Sequence, residues 1–184
     1  MSSLENANYA FNEMMVHVPL CTHKEPEKIL VIGTVDDELK QEVEKHKAQA
    51  TFGDTSLLTA HNEKDIDVII LTDVAVDDLL LANIERVLKN DGIITFPSKS
   101  FHRNEETLKA DLQRVGEKFW IAMPFSFGHK TAIIASKKYH PTADIVLQVS
   151  DLLDDVNYYS TEVHHASFVF ASHIHRKLTG IAKR

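Results

Sequence analysis

Short runs of large apolar residues recur along the chain, and several are followed by a turn and then by an amphipathic stretch. The clearest run is Ile29-Leu30-Val31-Ile32, which ends at Gly33 and leads into the acidic residues 36–38. A continuous apolar run rich in β-branched residues is typical of a strand buried on both faces. Acidic residues favour the first turn of a helix. The pattern therefore predicts a central strand, a turn at Gly33 and a helix.

The same reasoning, applied to the whole chain, predicts strands that alternate with helices. The expected strands are 29–32, 48–52, 68–71, 93–96, 119–123 and 131–135, and the expected helices are 9–20, 36–46, 76–88, 102–115, 143–153 and 164–178, with one short helix within 54–65. Pro19 is expected to end the first helix, Asn90-Asp91-Gly92 to form a turn, and Pro97 to stop a strand.

This order of elements predicts an α/β fold with a mainly parallel sheet, helices on both faces and a C-terminal antiparallel hairpin. The hairpin is expected because the last two strands are joined by a short loop around Gly128. The 184 residues contain no linker or repeat, which favours one domain over 1–184 with residues 1–8 flexible.

Composition narrows the possible functions. The formal net charge of −7 and the lack of a basic stripe argue against a nucleic-acid partner. Cys21 is the single cysteine, and no apolar run approaches the length of a membrane span. We expect a cytoplasmic protein without a membrane partner. The acidic balance would suit a cationic ligand.

Three segments resemble motifs of the spermidine synthase (polyamine aminopropyltransferase) family, whose fold is that of methyltransferases. They are FNEMMVHVPL at 11–20, PEKILVIG at 26–33 and YYSTEVHHASF at 158–168. The resemblance extends over roughly residues 9–178. It implies a short, divergent member that lacks the family's N-terminal β-domain. Apolar surface exposed by that lack would predict a homo-oligomer, such as a dimer.

The resemblance implies aminopropyl transfer from decarboxylated S-adenosylmethionine, as co-substrate, to a diamine such as putrescine. A free alkylamine has a pKa of about 10, so a carboxylate must take a proton from the attacking nitrogen. The implied base is Asp73, and no metal is expected. The implied co-substrate residues are Gly33, Asp36 and Asp54, and the implied amine-substrate residues are Glu13, Tyr158 and Tyr159.

The segment 33–38 departs from the family pattern, because only its first glycine and Asp36 match the glycine-rich turn. Asp73 lies one place beyond the expected base, and Ala75 replaces a second acid. A second hypothesis is therefore a catalytically inactive relative that acts as a binding or oligomerisation module.

Several of the implied site residues also have an ordinary structural interpretation. Asp36 could be a first-turn carboxylate that the helix dipole favours, and Asp73 could be a loop aspartate that caps the next helix. The two tyrosines could pack at the edge of the core. The histidines at 164, 165, 173 and 175 lack the spacing of a metal site, which favours a solvated helix face.

Overall fold

The computed structural model describes residues 8–184, so the flexible segment predicted at 1–8 lies outside the described residues except for Asn8. Within them, six strands form one sheet in the order β2-β1-β3-β4-β6-β5. Pairing is parallel from β2 to β4 and antiparallel among β4, β6 and β5, which confirms the predicted α/β fold class. The strands are β1 (Lys28–Ile32), β2 (Gln49–Gly53), β3 (Ile66–Leu71), β4 (Leu88–Ser98), β5 (Ile121–Phe127) and β6 (Lys130–Ser136).

Helices cover both faces of the sheet. They are α1 (Tyr9–Thr22), α2 (Asp37–Glu44), α3 (Leu57–Ala60), α4 (Asp78–Val87), α5 (Glu105–Gly116), α6 (Leu147–Ser150), α7 (Thr161–Ser167) and α8 (Ser172–Leu178). One buried cluster joins the sheet to α3, α4, α5 and α8, and a second joins its other face to α1 and α2. Among residues 8–184, no helix is both long and apolar enough to cross a membrane.

Helix α1 lies in the core rather than on the surface, because every residue from Asn12 to Thr22 is buried. The prediction that Pro19 ends this helix is wrong. The helix continues to Thr22, and the Pro19 carbonyl accepts a hydrogen bond of 3.0 Å from His23 N–H. Burial of this last turn stabilises the helix despite the missing N–H of proline.

Strand β4 is longer than predicted at both ends. Asn90-Asp91-Gly92 does not form a turn but an irregular part of β4, where the pairing with β3 shifts between Ile66 and Val68. Pro97 does not stop the strand either, because it pairs with Ala132 of β6. The last β3–β4 pair is Ile70 with Thr95, so beyond Thr95 the side of β4 that faces β3 has no partner strand. Pro97, which has no N–H to donate, is therefore accommodated in β4.

The prediction of two long C-terminal helices, 143–153 and 164–178, is also wrong. Only α6 forms within 143–153, since the backbone N–H of Val146 donates to the carbonyl of Cys21 at 2.8 Å instead of continuing a helix. The stretch 164–178 is divided between α7 and α8. Phe168 packs in the cluster with α1, whereas Ile174 packs in the cluster on the other face of the sheet. The chain must change faces between them, and one straight helix cannot do so.

Candidate active site at the carboxyl ends of the parallel strands

The turn after β1 joins the carboxyl ends of three strands. Gly33 N–H donates to the carbonyl of Gly53, the last residue of β2, at 2.9 Å, and Thr72 N–H after β3 donates to the carbonyl of Ile32 at 3.0 Å. The chain runs outward from β1 to β2 and then returns to β3 on the other side of β1. Open α/β sheets bind ligands at such a switch in strand order.

Asp73 lies at this switch, and its carboxylate is hydrogen-bonded to the turn. Its oxygens accept the Thr34 N–H at 3.0 Å and the Thr34 hydroxyl at 2.6 Å, and Thr72 Oγ1 lies 3.3 Å away. The bonds from the Thr34 hydroxyl and N–H lower the pKa of Asp73. Asp73 is therefore ionised at neutral pH, and it must exchange hydrogen bonds before it can take a proton from a substrate.

Gly33 has the backbone conformation that favours glycine, with φ of +119°. A Cβ built on Gly33 would lie 2.3 Å from Asp73 Oδ1 and 2.4 Å from Thr72 Oγ1. The space beside the turn is thus already filled by polar side chains of the protein. A ligand that approaches the Gly33 backbone from this side must displace the Asp73 carboxylate.

Asp36 caps α2, where its Oδ1 accepts the N–H of Leu39 at 2.7 Å. The side-chain amides of Asn8 and Asn12 donate to the same carboxylate at 2.9 and 3.0 Å. Partial burial alone would raise the pKa of Asp36, but the bonds from Leu39, Asn12 and Asn8 outweigh it and lower that pKa. Asp36 therefore combines the capping role with a position at the candidate site.

Asp54 follows β2 and is exposed, with Oδ1 accepting the N–H of Ser56 at 2.8 Å. Hydrogen bonds from Ser56 lower the pKa of Asp54. Asp54 lines an open depression of about 680 Å³ that also includes Val74 and Ala75. Asp36, Asp54 and Asp73 thus lie near the ends of three adjacent strands, and ionised carboxylates placed in this way attract a cationic ligand.

Glu13 lies on α1 and is only 1% exposed. Its Oε1 accepts the N–H of Asn157 at 2.7 Å, and its Oε2 accepts those of Tyr158 and Tyr159 at 2.8 and 2.7 Å. These bonds join the first and third family-like motifs directly. The carboxylate expected to bind the amine substrate thus holds the backbone before α7, and its substrate role stays a prediction.

The two tyrosines also contact the protein itself. The Tyr158 hydroxyl accepts the N–H of Gly128 at 3.0 Å, which fixes the β5–β6 turn. The buried Tyr159 hydroxyl lies 2.9 Å from His164 Nδ1, and His164 Nε2 lies 2.9 Å from the carbonyl of Pro141. Because a carbonyl only accepts, Nε2 carries the hydrogen, and Tyr159 donates to Nδ1. Burial lowers the pKa of His164 to about 4, which agrees with this neutral form.

Asn8, Asn12 and Thr34 are the residues of this site that sequence reasoning missed. Asn12 lies in the segment 11–20 that resembles a family motif, and its amide contacts Asp36. Its other amide atom, Oδ1, is buried without a hydrogen-bond partner among the described residues. A polar residue in the motif beside Glu13 was the available signal, but nothing in the sequence indicated contact with Asp36.

One histidine–carboxylate cluster has ligand atoms close enough to suggest a metal centre, at the opposite edge of the sheet. His23 Nε2 lies 3.8 Å from Asp67 and 4.0 Å from Asp91. However, His23 Nδ1 accepts the N–H of Glu25, so Nε2 of the neutral ring carries a hydrogen and has no lone pair for a metal. Lys89 also binds the Asp67 carboxylate at 2.9 Å. The hydrogen on Nε2 and the ion pair of Lys89 with Asp67 argue against a ligand set, and His23 Nε2 makes no hydrogen bond among the described residues.

The fold is that of the methyltransferase-like class of α/β proteins. Within it, the model of the spermine/spermidine synthase domain matches residues 8–77. A polyamine aminopropyltransferase of Helicobacter acinonychis is 26% identical over 194 residues, which span 89% of this chain and 74% of that protein.

Two further comparisons agree with this match. A polyamine aminopropyltransferase of Bacillus cytotoxicus is 28% identical over 215 residues, covering 89% of this chain and 76% of that protein. A crystal structure of a spermidine synthase with the transition-state analogue AdoDATO superposes with a TM-score of 0.82 at 21% identity, covering 95% of this chain and 76% of that chain. The resemblance of this chain to the spermidine synthase family is thereby confirmed.

Proposed function

We propose that this protein transfers the aminopropyl group of decarboxylated S-adenosylmethionine to a diamine such as putrescine in the cytoplasm, with a slow chemical step. The observation that carries the proposal is the position of Asp73 beside the Gly33 turn at the switch in strand order, with Asp36 and Asp54 at the neighbouring strand ends. The family resemblance supports the reaction type. The carboxylates suit co-substrate and acceptor, since both are cations.

In the proposed reaction, a neutral amine nitrogen attacks the carbon bonded to the sulfonium. The new C–N bond forms as the C–S bond breaks, and methylthioadenosine leaves with the sulfur electron pair. That nitrogen becomes neutral before the attack, when the ammonium group of the diamine gives a proton to Asp73, the proposed base. Its lowered pKa makes it a weak base, and its bonds to Thr34 must open first, so both features slow the step.

The first test is to incubate the full chain with decarboxylated S-adenosylmethionine and putrescine and to measure spermidine and methylthioadenosine by mass spectrometry. We expect both products in equal amounts. We expect Asp73→Asn to lose at least about tenfold in rate, since acid–base groups contribute ~10²–10⁴-fold in efficient enzymes. The exposed Asp78 pairs with Arg114, so Asp78→Asn is the matched control and should retain activity. No product above the rate without protein would reject the reaction.

Binding is measured separately by calorimetric titration with decarboxylated S-adenosylmethionine and with methylthioadenosine. We expect micromolar binding of at least one of them, weakened by Asp36→Ala. No heat at millimolar ligand would reject the co-substrate site. Binding without turnover would instead support the second hypothesis, an inactive relative that retains the ligand site.

The observation that favours this second hypothesis is the bond between Asp73 and Thr34 over the Gly33 turn. Thr34→Gly removes the hydroxyl that holds the carboxylate and leaves the backbone N–H. If the bond limits turnover, this variant should gain rate several-fold. If the protein is inactive for other reasons, the variant should stay inactive although it folds.

We further propose that the protein self-associates through the outer edge of β2. Gln49 N–H and the Gly53 carbonyl bond toward β1, so Ala50 and Phe52 direct their N–H and carbonyl groups outward. The β5 edge is instead blocked by Pro124 and by a bridge from Ala122 to Lys183. Ala50→Pro removes one outward N–H and should shift a dimer to monomer in light scattering. A monomeric wild type would reject the proposal.

A further inference from the structure

The amino-terminal edge of the sheet, opposite the candidate active site, contains a cavity of about 580 Å³. It lies where α1 ends, where the loops before β1 and β2 pass and where the segment around α6 packs. Its apolar lining includes Leu20, Val149, Leu152 and Leu153. The volume and the apolar walls are those of sites for small molecules, which typically have about 300–1,000 Å³.

A chain of buried hydrogen bonds ends at this cavity. His17 Nε2 lies 2.8 Å from the Glu42 carboxylate, and His17 Nδ1 lies 2.9 Å from His46 Nε2. Because the carboxylate only accepts, His17 carries its hydrogen on Nε2, and its Nδ1 accepts the hydrogen of His46 Nε2. The neutral His46 ring therefore has its lone pair on Nδ1.

That lone pair is available to a ligand. His46 lines the cavity and is 7% exposed, and its Nδ1 makes no hydrogen bond among residues 8–184. Desolvation lowers the pKa of His46 to about 3, so the ring stays neutral near pH 7. His46 thus contributes a neutral hydrogen-bond acceptor to the wall of the cavity, and Glu42 fixes the orientation of its ring through His17.

The charges around the cavity cancel. Two carboxylates, Glu25 and Glu27, and two ammonium groups, Lys45 and Lys47, line it. Lys45 is bound by Glu42, and Glu27 pairs with Lys89. A polyamine, an anion or a nucleotide gains no net attraction here, whereas an uncharged molecule loses little on entering.

We propose that this cavity binds a neutral, largely apolar molecule with one hydroxyl group, which donates a hydrogen bond to Nδ1 of His46. The apolar body lies against Val149 and Leu153. This site is separate from the carboxylates around Gly33, and the proposal does not depend on aminopropyl transfer. The class of ligand is that of alkylphenols and medium-chain alcohols.

The test compares 4-ethylphenol with 4-ethylanisole, in which a methyl ether replaces the hydroxyl. Each is titrated into the full chain, and ¹⁵N correlation spectra follow the backbone amides and the His46 ring nitrogens. We expect saturable 4-ethylphenol binding, with a change at His46 Nδ1 and at the amides of Val149 and Leu153. 4-Ethylanisole should bind about five- to tenfold more weakly, the value of one hydrogen bond.

Two variants separate the acceptor from the cavity. His46→Phe removes Nδ1 and should abolish the preference for the phenol, although it also deprives His17 of its donor. Val149→Trp fills the cavity without changing His46 and should abolish binding of both probes. Val169→Trp, at a residue 75% exposed and outside this cavity, is the matched control and should bind normally. Equal affinity for the two probes, unchanged binding in Val149→Trp, or no saturation at millimolar probe would each overturn the proposal.

Discussion

Replacing Glu13 tests whether its carboxylate is a structural anchor or a substrate ligand. In the structure it accepts backbone N–H groups of Asn157, Tyr158 and Tyr159 at 2.7–2.8 Å. Glu13→Ala leaves these donors without an acceptor. Asn157 is exposed and can bond to water, but Tyr159 is buried and Tyr158 is half-buried. A buried donor left unsatisfied costs about 1–3 kcal/mol.

Two such donors give an expected loss of about 3 kcal/mol in the free energy of unfolding for Glu13→Ala. This is a large fraction of a typical total of about 5–15 kcal/mol. Glu13→Gln retains one carbonyl oxygen, which can still accept from Tyr158 and Tyr159. Its NH₂ group would then face the N–H of Asn157. We therefore expect a loss of roughly 1–2 kcal/mol for the glutamine variant.

The assay is urea unfolding followed by far-ultraviolet circular dichroism. The single tryptophan, Trp120, is 81% exposed and would report poorly on the core. Glu63→Ala, at an exposed glutamate outside helices and strands, is the control and should change stability by less than about 0.5 kcal/mol. A Glu13→Ala protein of nearly wild-type stability that no longer binds putrescine would refute the anchor role and support the substrate role.

Three shorter predictions concern the turn, the buried histidines and the tyrosine. Gly33→Ala should lower the free energy of unfolding by about 2–3 kcal/mol, because φ is strained and the new Cβ would lie only 2.3 Å from Asp73. Gly128→Ala, with φ of +55° and open space around the Cβ, should lower it by less. Equal losses for the two variants in urea unfolding would contradict the contact with Asp73. Burial lowers the pKa of His46 to about 3 and of His164 to about 4, against about 6.5 in the unfolded chain. Above pH ~6.5 both histidines are neutral in the folded and the unfolded state, so they do not make the free energy of unfolding depend on pH there. Stability is lost as pH falls toward 4, by up to about 1.4 kcal/mol per pH unit for each histidine, because only the unfolded state takes up the proton. His164→Asn should reduce this slope by up to about 1.4 kcal/mol per pH unit in unfolding measurements from pH 7 to 4.5, and an unchanged slope would show that His164 does not contribute to it. Tyr159→Phe should lose about 1 kcal/mol, because His164 Nδ1 loses its donor, and a loss below about 0.3 kcal/mol would contradict that bond.

The sheet was predictable because burial on both faces leaves a direct pattern. Every residue of β3 is buried, and β1 is buried from Ile29 to Ile32. Such strands need a continuous apolar run, which few other structures produce at that length. The amphipathic helices α2 and α5 were predictable for the same reason, since Leu39 and Val43 or Leu108 and Leu112 recur at helical spacing.

The errors concern places where tertiary contacts decide the local structure. Periodicity shows that a segment has an apolar side, but it does not show which face of the sheet receives it. Phe168 and Ile174 both lie in the predicted helix 164–178, yet they pack on opposite faces of the sheet, so the helix breaks between them. Likewise Pro97 fits within β4 because the neighbouring strand has already ended, which no local pattern indicates.

The candidate site was predictable in position but not in bonding. Its acidic residues follow the strands, so Asp36, Asp54 and Asp73 could be placed at one edge from the sequence alone. The partners of each oxygen could not, because Asn12 and Thr34 reach them only in the folded chain. Sequence motifs specify residue types, whereas reactivity depends on which lone pairs remain free.

This distinction bears on the choice between enzyme and inactive relative. The carboxylates at the strand ends already have structural roles, since Asp36 caps α2 and Asp73 accepts hydrogen bonds from the turn after β1. A cation can use their remaining lone pairs without disturbing the fold, because an ionised carboxylate has about four acceptor positions. Proton abstraction by Asp73 is more demanding, because a carboxyl group that gains a proton loses acceptor strength toward Thr34. The geometry therefore favours binding of a cation over rapid turnover. Measured ligand affinity and measured turnover rate, taken together, decide between an enzyme and an inactive relative.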